Sequence, residues 1–442
     1  MGRLMRRLMG RPIAIGVSLL LGAAGLSACG GAEERSLDEE CANSACVEIG
    51  PKDPIRLGAL LWLDTLDEET GRDSLRGVEL AVDYLDWDLD GIDGDLFGHR
   101  VVSETADEGC DPVAGSVGAA RLLARGNGLI GAVGTTCSSS ALGAADGVFA
   151  AAGLPLISPS NTAPALTEPG KHAATYLRTA PNDRIQGEVD ANFARLGLRS
   201  PRAATLATPT PYPAALAAVF AEAYRSSGGE IVATASFEVG TPADAAVAEV
   251  AAAAPDVVFV PVQTTEACSG TIARIRAEPR LAGARIITAD GCLTSGTLAT
   301  LGRDPGPPVY ASGPDANTVK KNPFYTQQLL PAYTALYGTE PPGVWHPHAF
   351  DATTLLFDAV RRAAQVRDDG SIRIVKRDLM RALRLAGGFE GVSGTLECRV
   401  TGDCAQSARI AVYASPAWPV AGGDPNARPV FSQEVTLADA LG

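Results

Sequence analysis

Leu129-Ile130-Gly131-Ala132-Val133-Gly134 opens the stretch 129–157, Cys137-Ser138-Ser139-Ser140 follows, and Leu154-Pro155-Leu156-Ile157 closes it. The first run is apolar without alternation, as in a strand covered on both faces. Residues 140–151 have helical length and an alanine-rich composition. A second apolar run returns at 154–157. Strand, helix and strand within about 30 residues make a βαβ unit. Its crossover is expected to be right-handed.

The same alternation extends in both directions. Strands are predicted at 55–61, 101–106, 129–133 and 154–157, then at 203–207, 231–237, 257–262 and 285–289. Helices are predicted at 74–84, 112–125, 140–151, 185–196, 213–226, 243–252 and 271–277. This order gives an α/β fold of two similar halves, each a parallel sheet covered by helices. The length of 442 residues is too great for one core. A pI of about 4.8 and a net charge of −14 argue against a nucleic-acid partner, which selects basic patches. No apolar run in the body reaches the length of a membrane span.

The first residues read as an export signal. Arg3, Arg6, Arg7 and Arg11 precede a short apolar core at 13–25. Small residues before a cut site mark a secretory signal rather than a spanning helix. Leu26-Ser27-Ala28-Cys29 resembles the bacterial lipobox, which implies cleavage of residues 1–28 and lipidation of Cys29. The other reading is plain signal cleavage with a bystander cysteine. Removal of 1–28 takes away four arginines and no acid, moving the charge from −14 to −18. Residue 30 is Gly and not Asp, which in such lipoproteins is compatible with onward transfer to an outer membrane. Residues 29–54 are polar, acidic and without periodicity, and read as a tether.

Cys29 also explains the odd count of nine cysteines, since eight remain. They fall in local couples: Cys41 with Cys46, Cys110 with Cys137, Cys268 with Cys292, and Cys398 with Cys404. Sequence does not fix connectivity, and nearest-neighbour disulfides are the simplest arrangement. Metal binding is the rival, but no Cys-x-x-Cys pair is present. Cys110/Cys137 and Cys268/Cys292 each flank one helix and follow successive strands. That is the sheet edge where doubly wound folds place ligands.

Asp107-Glu108-Gly109-Cys110-Asp111-Pro112, Gly131 through Ser140, Leu154 through Thr162, and Pro164-Ala165-Leu166-Thr167 resemble the branched-chain amino-acid-binding protein family. The likeness continues at Leu177-Arg178-Thr179-Ala180, Asp290-Gly291 and Gly394-Thr395-Leu396. It spans about residues 55–415 and is strongest near the first internal cysteine couple. The resemblance implies two doubly wound Rossmann-like lobes joined by a three-strand hinge, the type I periplasmic binding protein fold. Lobe 1 would hold 55–180 plus 313–390, and lobe 2 would hold 181–312 plus 391–442. It also implies a monomeric, lipid-anchored receptor in the cell envelope, facing the periplasm or exterior. Such a receptor would take an amino acid or related small carboxylate to an ABC permease and use no cofactor.

The resemblance places Ser138, Ser160 and Thr162 around a ligand carboxylate, at two successive strand ends. Amides at a helix start and neighbouring hydroxyls are suitable donors. The same residue types also serve as turns and caps. In the second half, Tyr212 would meet the ligand on closure and Asp290 would face its ammonium. A strand-end cap is the plain alternative for Asp290. Gln263 and its neighbour Thr264 are further candidates. Trp345 would cover the ligand or pack the hinge.

Several features depart from the family. The loop 61–72 carries Trp62, Asp64, Asp67, Glu68 and Glu69, so the side-chain subsite is undefined. Asp86-x-Asp88-x-Asp90-Gly91 resembles the start of a calcium loop, but the twelfth position is Phe97 instead of Glu. His346 and His348 form a lone His-x-His, which is more often structural than metal-binding. No nucleophile elbow, phosphate loop or His-Glu-x-x-His is present. Binding without chemistry is therefore the expected activity. A ligand-sensing receptor with the same clamshell and a secreted α/β hydrolase are the alternatives.

Overall fold

The computed structural model describes residues 41, 44–63, 69–302, 306–385 and 387–441. The signal segment, Cys29, most of the tether stretch and Asp64, Asp67 and Glu68 lie outside the described residues.

Two sheets organise the chain. The first has six strands in the order Asp95–Leu96, His99–Asp107, Ile55–Leu61, Leu129–Gly134, Leu156–Ser158 and Tyr176–Arg178. All pairs are parallel except the short edge strand with His99–Asp107. The second has seven strands in the order Phe431–Thr436, Ser407–Ala414, Val309–Pro314, Arg285–Thr288, Val257–Val260, Arg202–Ala207 and Glu230–Ser236. Ser407–Ala414 pairs antiparallel with both its neighbours, and the remaining pairs are parallel. Ile55–Leu61 and Val257–Val260 are buried along their whole length, which explains their continuous apolar sequence.

Helices cover the sheets. Glu69–Asp83 and His346–Ala363 pack together on the first lobe. Their approach depends on Gly77, where a Cβ would stand 2.3 Å from the His346 carbonyl oxygen. Pro112–Ala124 starts on Asp111, whose carboxylate caps the Val113 and Ala114 amides.

The chain crosses between the lobes three times: between Arg178 and Asp183, after Pro314, and between Ala405 and Ser407. Arg178 and Asp403 tie the first and third crossings with a buried 2.7 Å ion pair. The Cys404 amide donates to the Arg178 carbonyl beside it at 3.0 Å.

Three boundaries differ from the sequence reading. Cys46–Ile49, inside the expected tether, is a strand paired antiparallel with Ile372–Val375 on lobe 1. Val309–Pro314 stays in the lobe 2 sheet, so its last two residues do not begin the return to lobe 1. Leu396, Cys398 and Cys404 pack into the lobe 1 core, so residues 391–405 do not belong with lobe 2. The cause is the hairpin Phe389–Glu390 with Thr395–Leu396 and the Arg178–Asp403 pair, which hold this segment on lobe 1.

Candidate functional site between the lobes

The C-terminal edges of the two sheets face each other. On lobe 1, strand Leu129–Gly134 leads to Cys137 and helix Ser138–Ala144. Cys137 is bonded to Cys110, and its amide donates to the buried Glu108 carboxylate at 2.8 Å. This fixes the loop that presents Ser138. The Ser138 hydroxyl accepts the Ala163 amide at 3.4 Å. Ser160 donates its hydroxyl to the Thr136 carbonyl at 3.2 Å. Ser138 and Ser160 therefore lie together at one rim, both buried.

On lobe 2, Tyr212 is in the first turn of helix Pro211–Ser226. Its hydroxyl donates to Asp290 Oδ1 at 2.9 Å and accepts the Gly291 amide at 3.2 Å. Asp290 follows strand Arg285–Thr288, and burial pushes its carboxyl up to about 6. The Cys268–Cys292 disulfide holds the turn that carries it. Gln263 reaches across the gap and donates to Cys137 Sγ at 3.3 Å.

A cavity of about 20 Å³ remains between these groups. That is close to one water molecule, so the two lobes are shut on the site. Ser138, Ser160, Tyr212, Gln263, Asp290 and Trp345 all line it. Thr162 does not. It is buried behind the rim with no partner for its hydroxyl, beside the Asp183 carboxyl. Trp345 lines the cavity and also packs into the lobe 2 core, while Asp73 of lobe 1 holds its amide at 2.8 Å.

Asp183 was not singled out from the sequence. It is fully buried, and neither carboxyl oxygen has a partner. Burial, followed by the nearby Asp290 charge, drives its pKa well above the usual carboxylate range. Asp190 lies two helical turns further along, also buried and also shifted up, chiefly by burial. Gln186 and Ser312 link this interior group, with Gln186 donating to Ser312 at 3.0 Å and Ser312 to Asp190 at 3.1 Å. An unpaired buried carboxyl is costly when charged, so the cluster favours either protonation or an arriving cation. The signal was the Asp immediately after Asn182, which reads as an ordinary acidic first turn of a helix.

The other sequence features take structural places. Asp86 and Asp90 cap the amides of Asp88 and Ile92 in their own loop. Among the described residues, no group of three His, Cys, Asp or Glu is placed to hold a metal ion. His346 is bonded by Asp73 and Tyr325, and His348 by the Thr179 carbonyl. Burial lowers the His348 pKa to about 4. The hydroxyls of Ser139 and Ser140 donate to the Cys110 and Glu108 carbonyls rather than to a base. The remaining couples, Cys41–Cys46 and Cys398–Cys404, are disulfides.

The sequence profile of the family described as periplasmic binding protein matches residues 54–413. The chain belongs to that family. This periplasmic binding protein shares its fold with a leucine-binding protein from Thermotoga maritima, at 18% identity and a TM-score of 0.70, covering 87% of this chain and 99% of that one. A benzoate-bound ABC-transporter solute-binding protein from R. palustris gives 20% identity and 0.67, with 87% and 96% covered. An isoleucine-bound branched-chain amino-acid transporter binding protein from Streptococcus pneumoniae gives 20% and 0.65, with 87% and 99% covered. No curated protein matches this binding protein in sequence.

Proposed function

We propose that this binding protein captures an amino acid between its lobes and delivers it to an ABC permease. The observation that carries the reading is the opposition of two unlike surfaces across one small cavity. Ser138, whose hydroxyl accepts the Ala163 amide and keeps its proton to give, and nearby amides offer donors on lobe 1, with Ser160 beside them. Asp290 offers a buried carboxyl on the other side, with the buried Asp183 carboxyl close enough behind it to feel its charge. A zwitterion satisfies both surfaces, whereas a simple carboxylate would leave the acidic side unmatched. In this reading Tyr212 orients Asp290, Thr162 stands behind the rim beside Asp183, and Gln263 and Trp345 close over the ligand. Binding is the whole activity, and closure is stabilised by contacts that exist only when both lobes touch the ligand.

The aryl-acid ligand of the R. palustris relative motivates a second reading. Trp62 and Trp345 line the cavity and would flank an aromatic ring. A thermal-shift screen of amino acids, their amides and aromatic acids separates the two. A rise in Tm with amino acids alone supports the proposal, and a rise with aromatic acids alone overturns it.

Export, signal removal and lipidation of Cys29 belong to the same proposal. They place the receptor in the cell envelope as a monomer on a lipid anchor. Mass measurement of the N-terminal fragment of the membrane-extracted protein tests this, with lipidated Cys29 as the expected first residue.

A further inference from the structure

The end of lobe 1 opposite the cleft carries an unusual charge. Residues 361–384 contain eight Lys and Arg against three Asp, in a chain of net charge −14. Helix Lys376–Arg384 supplies much of this. Lys376 Nζ donates to the Ala152 carbonyl and Arg384 to that of Ala174. Both carbonyls precede sheet strands, so the helix sits at the strand N-terminal edge, away from Ser138 and Ser160.

The helix ends in exposed apolar surface. Leu385, just after it, is 70% exposed, and Arg377 and Arg381 are each 62% exposed. Leu385 also borders a neighbouring hollow of about 580 Å³ that contains Arg361, Arg362 and Trp87. Trp87 is 71% exposed, with the Arg361 guanidinium 5.9 Å from its ring centre. Asp358 and Asp378 pair with arginines here, but exposed pairs of this kind are weak and exchange readily for other anions. Exposed Leu and Trp among arginines are the combination that suits a bilayer interface.

The position of the N-terminal end selects the partner. Cys46–Ile49 pairs with Ile372–Val375, directly before the basic helix, and the Lys376 amide donates to the Ala45 carbonyl at 3.0 Å. Eleven residues separate Cys29 from Cys41. Such a length reaches at most about 40 Å. An anchor at Cys29 would thus hold this pole within about 40 Å of the bilayer.

We propose that the face formed by helix Lys376–Arg384 and Leu385 rests on anionic lipid headgroups and orients the receptor on its membrane. This rests on the Cys29 anchor for proximity, while the face itself has its own charge. The acidic loop with Asp86, Asp88 and Asp90 borders the patch and is repelled by such a surface, which tilts contact toward the arginines.

The test uses the full lipidated chain carrying W87F and L385W in vesicles that contain bromolipids. The other tryptophans, Trp62, Trp345 and Trp418, are buried. Quenching of the residue 385 emission is expected in phosphatidylglycerol vesicles, not in phosphatidylcholine vesicles, and should be lost in high salt. Adding R377E/R381E should reduce the quenched fraction about tenfold or more. Equal quenching in both lipids, none in either, or quenching unchanged by R377E/R381E overturns the proposal. Retention of the chain on vesicles in high salt reports the anchor separately. A chain that washes off refutes lipidation, while its low-salt quenching still decides the face.

Discussion

Glu69 of lobe 1 accepts the Ser295 hydroxyl of lobe 2 at 2.6 Å, and its second oxygen accepts the Gly296 amide at 2.9 Å. The contact spans the mouth of the cleft and exists only when the lobes are shut. Hydrogen bonds to a charged group contribute about 1.5–3 kcal/mol, with less for a partly exposed site. Glu69→Ala should therefore weaken ligand binding by about 5- to 30-fold, chiefly through faster release. Stopped-flow association and dissociation rates check this. A slowed association with unchanged release would show that Glu69 does not act as a closure latch.

The Tyr212–Asp290 bond makes a different demand. Tyr212→Phe leaves Asp290 Oδ1 and the Gly291 amide without their shared partner. Affinity for an amino acid should fall about tenfold, with a loss of about 1–2 kcal/mol. The variant should keep its fold by circular dichroism, since the ring remains. Unchanged affinity in calorimetry would remove Tyr212 from the site.

The acid cluster sets a pH dependence. Asp290 is raised from 3.8 to about 6, and Asp183 and Asp190 are also raised, all mainly by burial. A carboxyl with a raised folded pKa binds more protons folded than unfolded. Its contribution to ligand-free stability therefore increases as pH falls from about 6 toward 4. An ammonium ligand needs the ionised form, so its stabilising effect should shrink over the same window. Thermal unfolding with and without ligand, measured across pH 4–8, reads both trends at once. A ligand shift that grows on acidification would contradict the ammonium assignment.

At the hinge, Arg178 is buried against Asp403, and further donates to the Asn161 and Ala163 carbonyls and the Thr167 hydroxyl. Removing one charge leaves the other buried and unpaired. Asp403→Ala should cost about 3–5 kcal/mol of stability. Arg178→Met with Asp403→Leu should recover part of that loss. Equal destabilisation by the double variant would indicate that packing, not charge, dominates at this position.

The two-sheet fold was readable because its central strands are uninterrupted apolar runs, such as Val257–Val260. The meeting of Ser138, Tyr212 and Asp290 at one cavity was readable as well, since each sits just beyond a strand end. Cys46–Ile49 gave no local signal: it is four residues in a polar stretch, and its partner strand lies more than 300 residues away. Residues 391–405 misled for a similar reason, because two-residue strands carry no periodicity and Asp403 finds Arg178 only in three dimensions. Asp183 looked like a helix-start acid until burial removed its solvent. Glu69 lay in the loop 61–72, whose role the sequence left undefined, and its partner Ser295 is 226 residues away in the chain.

The most direct test of the zwitterion site is calorimetry with one amino acid identified by the screen and its des-amino analogue, the same carboxylic acid without the ammonium. With Asp290 unmatched, the analogue should bind about 100-fold more weakly, or not at all. Equal or tighter binding of the analogue would contradict the site as described.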